Sequence, residues 1–257
     1  MKLTSKLAAG LFALALTAAP ALADPIKVGV AAEPYPPFSS LDSSGNWVGW
    51  EIDIMNAICA AENMDCVLTP VAWDGIIPSL TGKQIDAIMS SMTITEERSK
   101  TIDFSDKYYN TPADIAAAKS SDITPTPEGL AGKIIGVQAS TIHQAYAQQY
   151  FTGAAEIRVY QTQDEINQDL AAGRIDATLA DSIALGDFVA SDAGACCEDK
   201  GAVMDDPSIL GKGVGVGIRK GDDALREQFN AGIKAIRENG EYDAITKKYF
   251  KSNIYGS

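Results

Sequence analysis

Residues 85–105, IDAIMSSMTITEERSKTIDFS, bring together side chains that could hold a small ion: an apolar run gives way to hydroxyls and then to an arginine. Ile85, Ala87, Ile88 and Met89 read as a short buried strand, Ser90, Ser91 and Thr93 supply oxygens at its carboxyl end, and Arg98 follows within a helical turn. A planar guanidinium makes two parallel charge-assisted hydrogen bonds to a carboxylate, which suits this array to a small charged ligand. The competing reading is structural, with Thr95 capping a helix and Arg98 a solvated first-turn residue. Further on, Ser140 and Thr141 follow the strand-like IIGV and open the helix-like TIHQAYAQQY. A helix N-terminus there would offer free N–H groups and a positive dipole end, again fitting a carboxylate. Asp181 follows the strand-like DATLA, where it can accept from an ammonium group. A cation for a carboxylate and an acid for an ammonium describe an α-amino acid. Each residue also has a duller role: Ser140 and Thr141 as helix caps, Asp181 as the opening of the next helix.

The elements that must position these residues alternate in type. IKVGVAAEP reads as a strand, EIDIMNAICAAEN as a helix, CVLTPV as a strand, and WDGIIPSLTGK as a short helix with Pro78 where a turn tolerates it. Alternation of this kind implies βαβ units, with helices covering both faces of a sheet. The pattern then restarts. KIIGVQAST resembles the opening strand, and LAAGRIDATLADS resembles LTGKQIDAIMSS, so that Leu80, Ile85, Asp86 and Ala87 recur at Leu170, Ile175, Asp176 and Ala177. An α/β chain of two similar lobes is implied, each with its own sheet. The turn-rich KSSDITPTPEG, residues 119–129, marks a passage into the second lobe. A glycine-spaced strand in GKGVGVGIRKGD is followed by the helical ALREQFNAGIKAIRENG. If these return to the first lobe, the chain crosses twice and two crossing strands form a hinge; one continuous sheet is the alternative. The expected division is lobe I over 24–111 and 214–257 and lobe II over 112–213. Ligands of open α/β sheets sit beyond the carboxyl ends of strands, and a cleft between lobes collects several such ends.

The first 23 residues read as a signal peptide, with Lys2 and Lys6 before an apolar run and Ala21-Leu22-Ala23 at the cleavage site. The run is too short to span a bilayer and no cysteine follows it, so a periplasmic location without a lipid anchor is expected. Removing two lysines from 21 Lys+Arg leaves 19 against 34 Asp+Glu, a net charge of −15. Such a surface disfavours nucleic acid and anionic lipid as partners. Four cysteines in an exported chain invite disulfides. A bridge between Cys59 and Cys66 would staple helix to strand, and the pair reads as structural. Cys196 and Cys197 are adjacent and their state stays open. With His143 the one histidine and no CxxC spacing, neither a metal site nor a cofactor is expected.

YPPFSS, GWEIDIMNAIC, WDGIIPSL, IDAIMSSMTITEER, GVQAST, AGRIDATLAD and GKGVGVGIRK stand in one order along nearly the whole mature chain. In these motifs the chain resembles the polar amino acid-binding proteins of ABC importers, extracellular solute-binding family 3. Within them it is similar to the lysine/arginine/ornithine, histidine and opine binders. The resemblance implies a type II periplasmic binding fold and a disulfide between Cys59 and Cys66. It implies Arg98 as the carboxylate-binding arginine with Thr141 in support, Asp181 as the acid for the α-ammonium with Ser91 and Thr93 sharing it, and Ser90 and Ser140 lining the cleft. Tyr35 and Trp73 match aromatic positions that sandwich the ligand side chain, whereas core packing is their duller alternative. Basic amino acid binders carry an acid three residues before the tyrosine matched by Tyr35, but Ala32 stands there with Glu33 beside it. Either Glu33 takes that role through a shifted loop or the pocket admits another side chain. WDGIIPSL and GKGVGVGIRK lean toward the opine binders. The implied function is capture of a polar, basic amino acid by a monomer whose lobes close and whose closed form meets a membrane permease. An opine binder and a dehydratase-like enzyme on the same fold are the alternatives.

Overall fold

Two five-stranded sheets organise residues 24–256, the part of the chain that this computed structural model describes. The expected signal peptide over 1–23 lies outside the described residues. The first half runs β1 (Ile26–Ala31), β2 (Ser40–Leu41), β3 (Trp47–Val48), α1 (Trp50–Ala61), β4 (Cys66–Val71), a 3-10 turn (Trp73–Gly75), α2 (Ile76–Thr81), β5 (Ala87–Ile88), α3 (Glu96–Ser99) and β6 (Ile102–Tyr109). The second half runs β7 (Ala113–Ala118), β8 (Ile134–Gln138), α4 (Ile142–Tyr150), β9 (Glu156–Tyr160), α5 (Gln163–Ala171), β10 (Ala177–Asp181), α6 (Ser182–Ala190), β11 (Cys197–Ala202) and α7 (Pro207–Leu210). The chain closes with β12 (Val214–Arg219), α8 (Asp223–Glu238) and α9 (Glu241–Tyr249).

The first sheet has the order β4-β1-β5-β12-β6 and the second β11-β7-β10-β8-β9. In each, three strands are parallel, and strands from the crossings add on antiparallel: β12 beside β5 and β6, β7 beside β10 and β11. The central strands have helices against them, so VGVA of β1 and all of ATLAD in β10 are buried rather than alternating. The ninety-residue sequence repeat has a structural cause. Asp86 Oδ2 accepts from the Lys27 N–H at 3.0 Å while the Asp86 N–H donates to the Lys27 carbonyl, and Asp176 does the same with Ile134 at 2.8 Å. The repeated aspartate thus ties the start of β5 to β1 in one lobe and the start of β10 to β8 in the other.

The first lobe's core gathers Phe38, Trp50, Tyr108 and Tyr109, each 0% exposed, with the Trp50 ring edge-on to Tyr109 at 5.2 Å. Gly49 leads into α1 at φ 134°, where an added Cβ would lie 2.2 Å from the Phe38 carbonyl oxygen, so only glycine fits. The Cys59–Cys66 disulfide joins the end of α1 to the start of β4. Cys196 and Cys197, whose state the sequence leaves open, are free thiols, one exposed and one buried.

The chain passes from the first sheet to the second between Tyr109 and Ala113 and returns between Ala202 and Val214. Thr111 and Ser182 share a hydroxyl hydrogen bond of 3.0 Å beside the first crossing. The turn-rich segment 119–129 is not that passage. It follows β7, whose apolar ADIAAA already pairs with β10 and β11 inside the second sheet. Its prolines and threonines mark a loop within the second lobe, because turn chemistry reports local bends and not domain borders.

Candidate ligand-binding site

The carboxyl ends of β1, β5, β8 and β10 face one another across a partly open cleft between the two sheets. Beyond β5 the chain bends through Ser91 at φ 51°. Ser90 Oγ accepts from the Ala31 N–H at 2.8 Å, so this hydroxyl ties the ends of β1 and β5 together while lining the cleft. Ser91 directs both donors at Glu51: its N–H reaches Oε1 at 2.7 Å and its hydroxyl reaches Oε2 at 3.3 Å. While Glu51 is ionised this hydroxyl donates inward and so accepts from a ligand, which fits an ammonium. Glu51 is 1% exposed and also receives the Tyr108 hydroxyl. Burial lifts its carboxyl to about 7 against the opposing hydrogen bonds from Tyr108 and Ser91.

Both sequence readings of the next segment hold in part. Thr95 caps α3 by accepting from the Arg98 N–H at 3.2 Å, as the structural reading has it. The Arg98 side chain is nevertheless half-buried and turned into the cleft, where Nη1 donates to the Thr93 carbonyl at 3.0 Å and Cζ sits 5.5 Å from the Trp73 ring centroid. Burial lowers the guanidinium to about 10, Asp181 opposing, so it stays charged at neutral pH. Glu33 lines the same wall, its Oε2 accepting the Trp73 N–H at 3.1 Å.

From the second lobe, Thr141 caps α4, donating from its hydroxyl to the Gln138 carbonyl at 2.7 Å and accepting from the Gln144 N–H at 3.1 Å. Asp181 closes β10, is 7% exposed, and accepts the Tyr35 hydroxyl on Oδ2 at 2.7 Å. Trp73 Nε1 donates to the Ala139 carbonyl at 3.1 Å and Arg98 Nη2 to the Ser140 carbonyl at 3.4 Å. Tyr35, Trp73 and Arg98 therefore each bond across the cleft and draw the lobes together.

Tyr35, Trp73, Ser90, Ser91, Thr93, Arg98, Thr141, Asp181 and Glu33 all line the cleft. Ser140 does not. It is exposed at φ 60°, its N–H goes to Gln144 Oε1 at 2.7 Å, and only its carbonyl meets Arg98. A left-handed residue just before the Thr141 cap turns its side chain off the wall. Sequence reasoning missed His143 and Gln163, which also line the cleft. The signal for His143 was its place two residues past a predicted cap, in the first helical turn.

The chain is 41% identical over 252 residues to the L-arginine-binding protein of Pseudomonas aeruginosa, covering 96% of this chain and 97% of that one. It is 40% identical over 238 residues to the lysine/arginine/ornithine-binding periplasmic protein of Escherichia coli, covering 92% and 91%. Among solved structures, a periplasmic binding protein of Salmonella typhimurium described for its high arginine specificity superposes with a TM-score of 0.81 at 29% identity, covering 89% of this chain and 100% of that one. Residues 26–252 match the profile of the bacterial extracellular solute-binding proteins, family 3, and the chain belongs to that family.

Proposed function

We propose that the protein binds a basic L-amino acid in the cleft, closes its lobes on it, and delivers it from the periplasm to the permease of an ABC importer. The observation that carries this reading is the opposition of Arg98 on one lobe to Asp181 on the other, both in the wall of one cleft. Arg98, supported by Thr141, takes the carboxylate; Asp181, with Ser91 and Thr93, takes the ammonium. Tyr35 and Trp73 flank the ligand side chain, and Glu33 faces its cationic end. In this reading the lobes are 24–111 with 214–257 and 112–213, and they rotate about the two crossings. Each ligand end then engages residues of both lobes, contacts that exist together only when the cleft is shut, so the ligand stabilises the closed form. The relatives are named as binding proteins, which supports binding and not turnover.

A thermal-shift screen of ligand-stripped mature protein against the common amino acids, ornithine and several opines tests this. A ligand at a hundredfold its Kd adds about 2.7 kcal/mol of stability. Selective shifts with arginine, lysine, ornithine or histidine support the proposal. Shifts with opines alone would move the ligand class, and no shift with any compound would sink the reading. Glu33→Gln should weaken arginine binding more than glutamine binding.

A further inference from the structure

His143 stands in the first turn of α4 with its side chain in the cleft wall. It is 6% exposed, and its Nε2 is buried without a hydrogen-bond partner. An unpaired buried nitrogen costs free energy unless something arrives to pair with it. Nε2 lies 3.6 Å from Asp181 Oδ1, while Asp181 Oδ2 is occupied by Tyr35. With the imidazole proton on Nδ1, Nε2 and Asp181 Oδ1 are two acceptors side by side on the cleft wall.

We propose that Nε2 of neutral His143 and Oδ1 of Asp181 together hold the ligand's α-ammonium, so that His143 selects a primary ammonium and a proton on His143 competes with ligand. The inference rests on the amino acid reading of the cleft given above. A primary ammonium carries three N–H donors, which here go to Asp181, to His143 and to one hydroxyl oxygen of the Ser91 and Thr93 pair. An α-N-alkylated amino acid has one donor fewer and loses one of the three. A protonated imidazole has no lone pair on Nε2 and would instead donate into Asp181, taking the ligand's place.

The charges facing His143 set the direction of the effect. Burial lowers its affinity for a proton, Asp181 on β10 raises it, and Arg98 from α3 across the cleft lowers it, for a net depression. The Tyr35 hydroxyl faces the same carboxylate, whereas Tyr146 and Tyr150 on later turns of α4 are engaged with the Met204 carbonyl and Asp206. His143 is therefore neutral at pH 7. A bound ammonium cancels the attraction of Asp181 and depresses His143 further. Affinity is then full above the free-state value and falls as pH drops through it, with a proton released on binding.

The test is calorimetric titration of L-arginine into the mature protein between pH 5 and 8, in buffers of different ionisation enthalpy. Wild type should bind progressively more weakly as pH falls from 7.5 to 5, and take-up of ligand should release protons in the lower part of that range. His143→Gln, whose amide keeps an acceptor, should bind within about fivefold of wild type at pH 7.5 with a flat profile, and His143→Phe at least roughly tenfold weaker. Preference for L-arginine over Nα-methyl-L-arginine should shrink in His143→Phe. The inference is overturned if wild type releases no proton, if His143→Gln keeps the wild-type profile, or if His143→Phe binds as tightly as wild type. Asp181→Asn separates the two readings: if it binds L-arginine within about threefold of wild type, the ammonium assignment and the amino acid reading fail together. If it loses binding while the histidine variants leave the pH profile unchanged, only the role of His143 falls.

Discussion

Replacing Glu51 with glutamine removes a buried carboxyl that takes up a proton on folding. Glu51 is 1% exposed, its hydrogen bonds come from Ser91 and Tyr108, and burial raises it from the ordinary 4.5 to about 7. The native state therefore holds this proton more tightly than the unfolded chain does. Its contribution is fully present below pH 4.5 and is lost as pH rises through about 7. The difference between those two values corresponds to ~3 kcal/mol, as an order of magnitude. Glutamine keeps an acceptor for the Ser91 N–H and the Tyr108 hydroxyl, and it cannot ionise. The stability of Glu51→Gln relative to wild type should thus rise by ~3 kcal/mol between pH 4.5 and 8. Any fixed cost of the amide cancels in that comparison, and so does Asp114, which burial and Asp199 lift to about 7 in both proteins. Urea denaturation of both proteins at half-unit pH steps, without ligand, reads the difference directly. If the two stability curves stay parallel across that range, Glu51 does not enter the folded state protonated and the account of this buried cluster is wrong.

Arg98→Ala should weaken L-arginine binding by at least about a hundredfold in calorimetry, since it removes the guanidinium proposed to hold the carboxylate together with its two carbonyl contacts. Binding within threefold of wild type would refute the carboxylate assignment. Cys59→Ser with Cys66→Ser opens a loop of separation 7 and should lower stability by ~2.5 kcal/mol on the loop-entropy estimate, seen as a lower urea midpoint. An unchanged midpoint would mean that the bridge constrains nothing in the unfolded chain.

The local chemistry was legible in the chain itself. Alternation of apolar periods gave the βαβ units, and the recurrence of Ile-Asp-Ala at ninety residues announced two lobes because the same aspartate ties two strands together in each. Thr95 and Thr141 were readable as caps, since a cap depends on three or four consecutive residues. The tertiary structure decided what nonlocal contacts control. It turned Arg98 into the cleft while Thr95 capped below it, and it turned the side chain of Ser140 off the wall through one left-handed residue. The crossing at residues 110–112 was decided by which sheet accepts ADIAAA, a pairing with residues far along the chain, and so the proline-rich loop misled. The sequence set Arg98 and Asp181 at strand ends where a charged ligand could meet them; only folding could bring His143 within 3.6 Å of Asp181, because proximity between β10 and α4 is a property of sheet order and not of spacing along the chain.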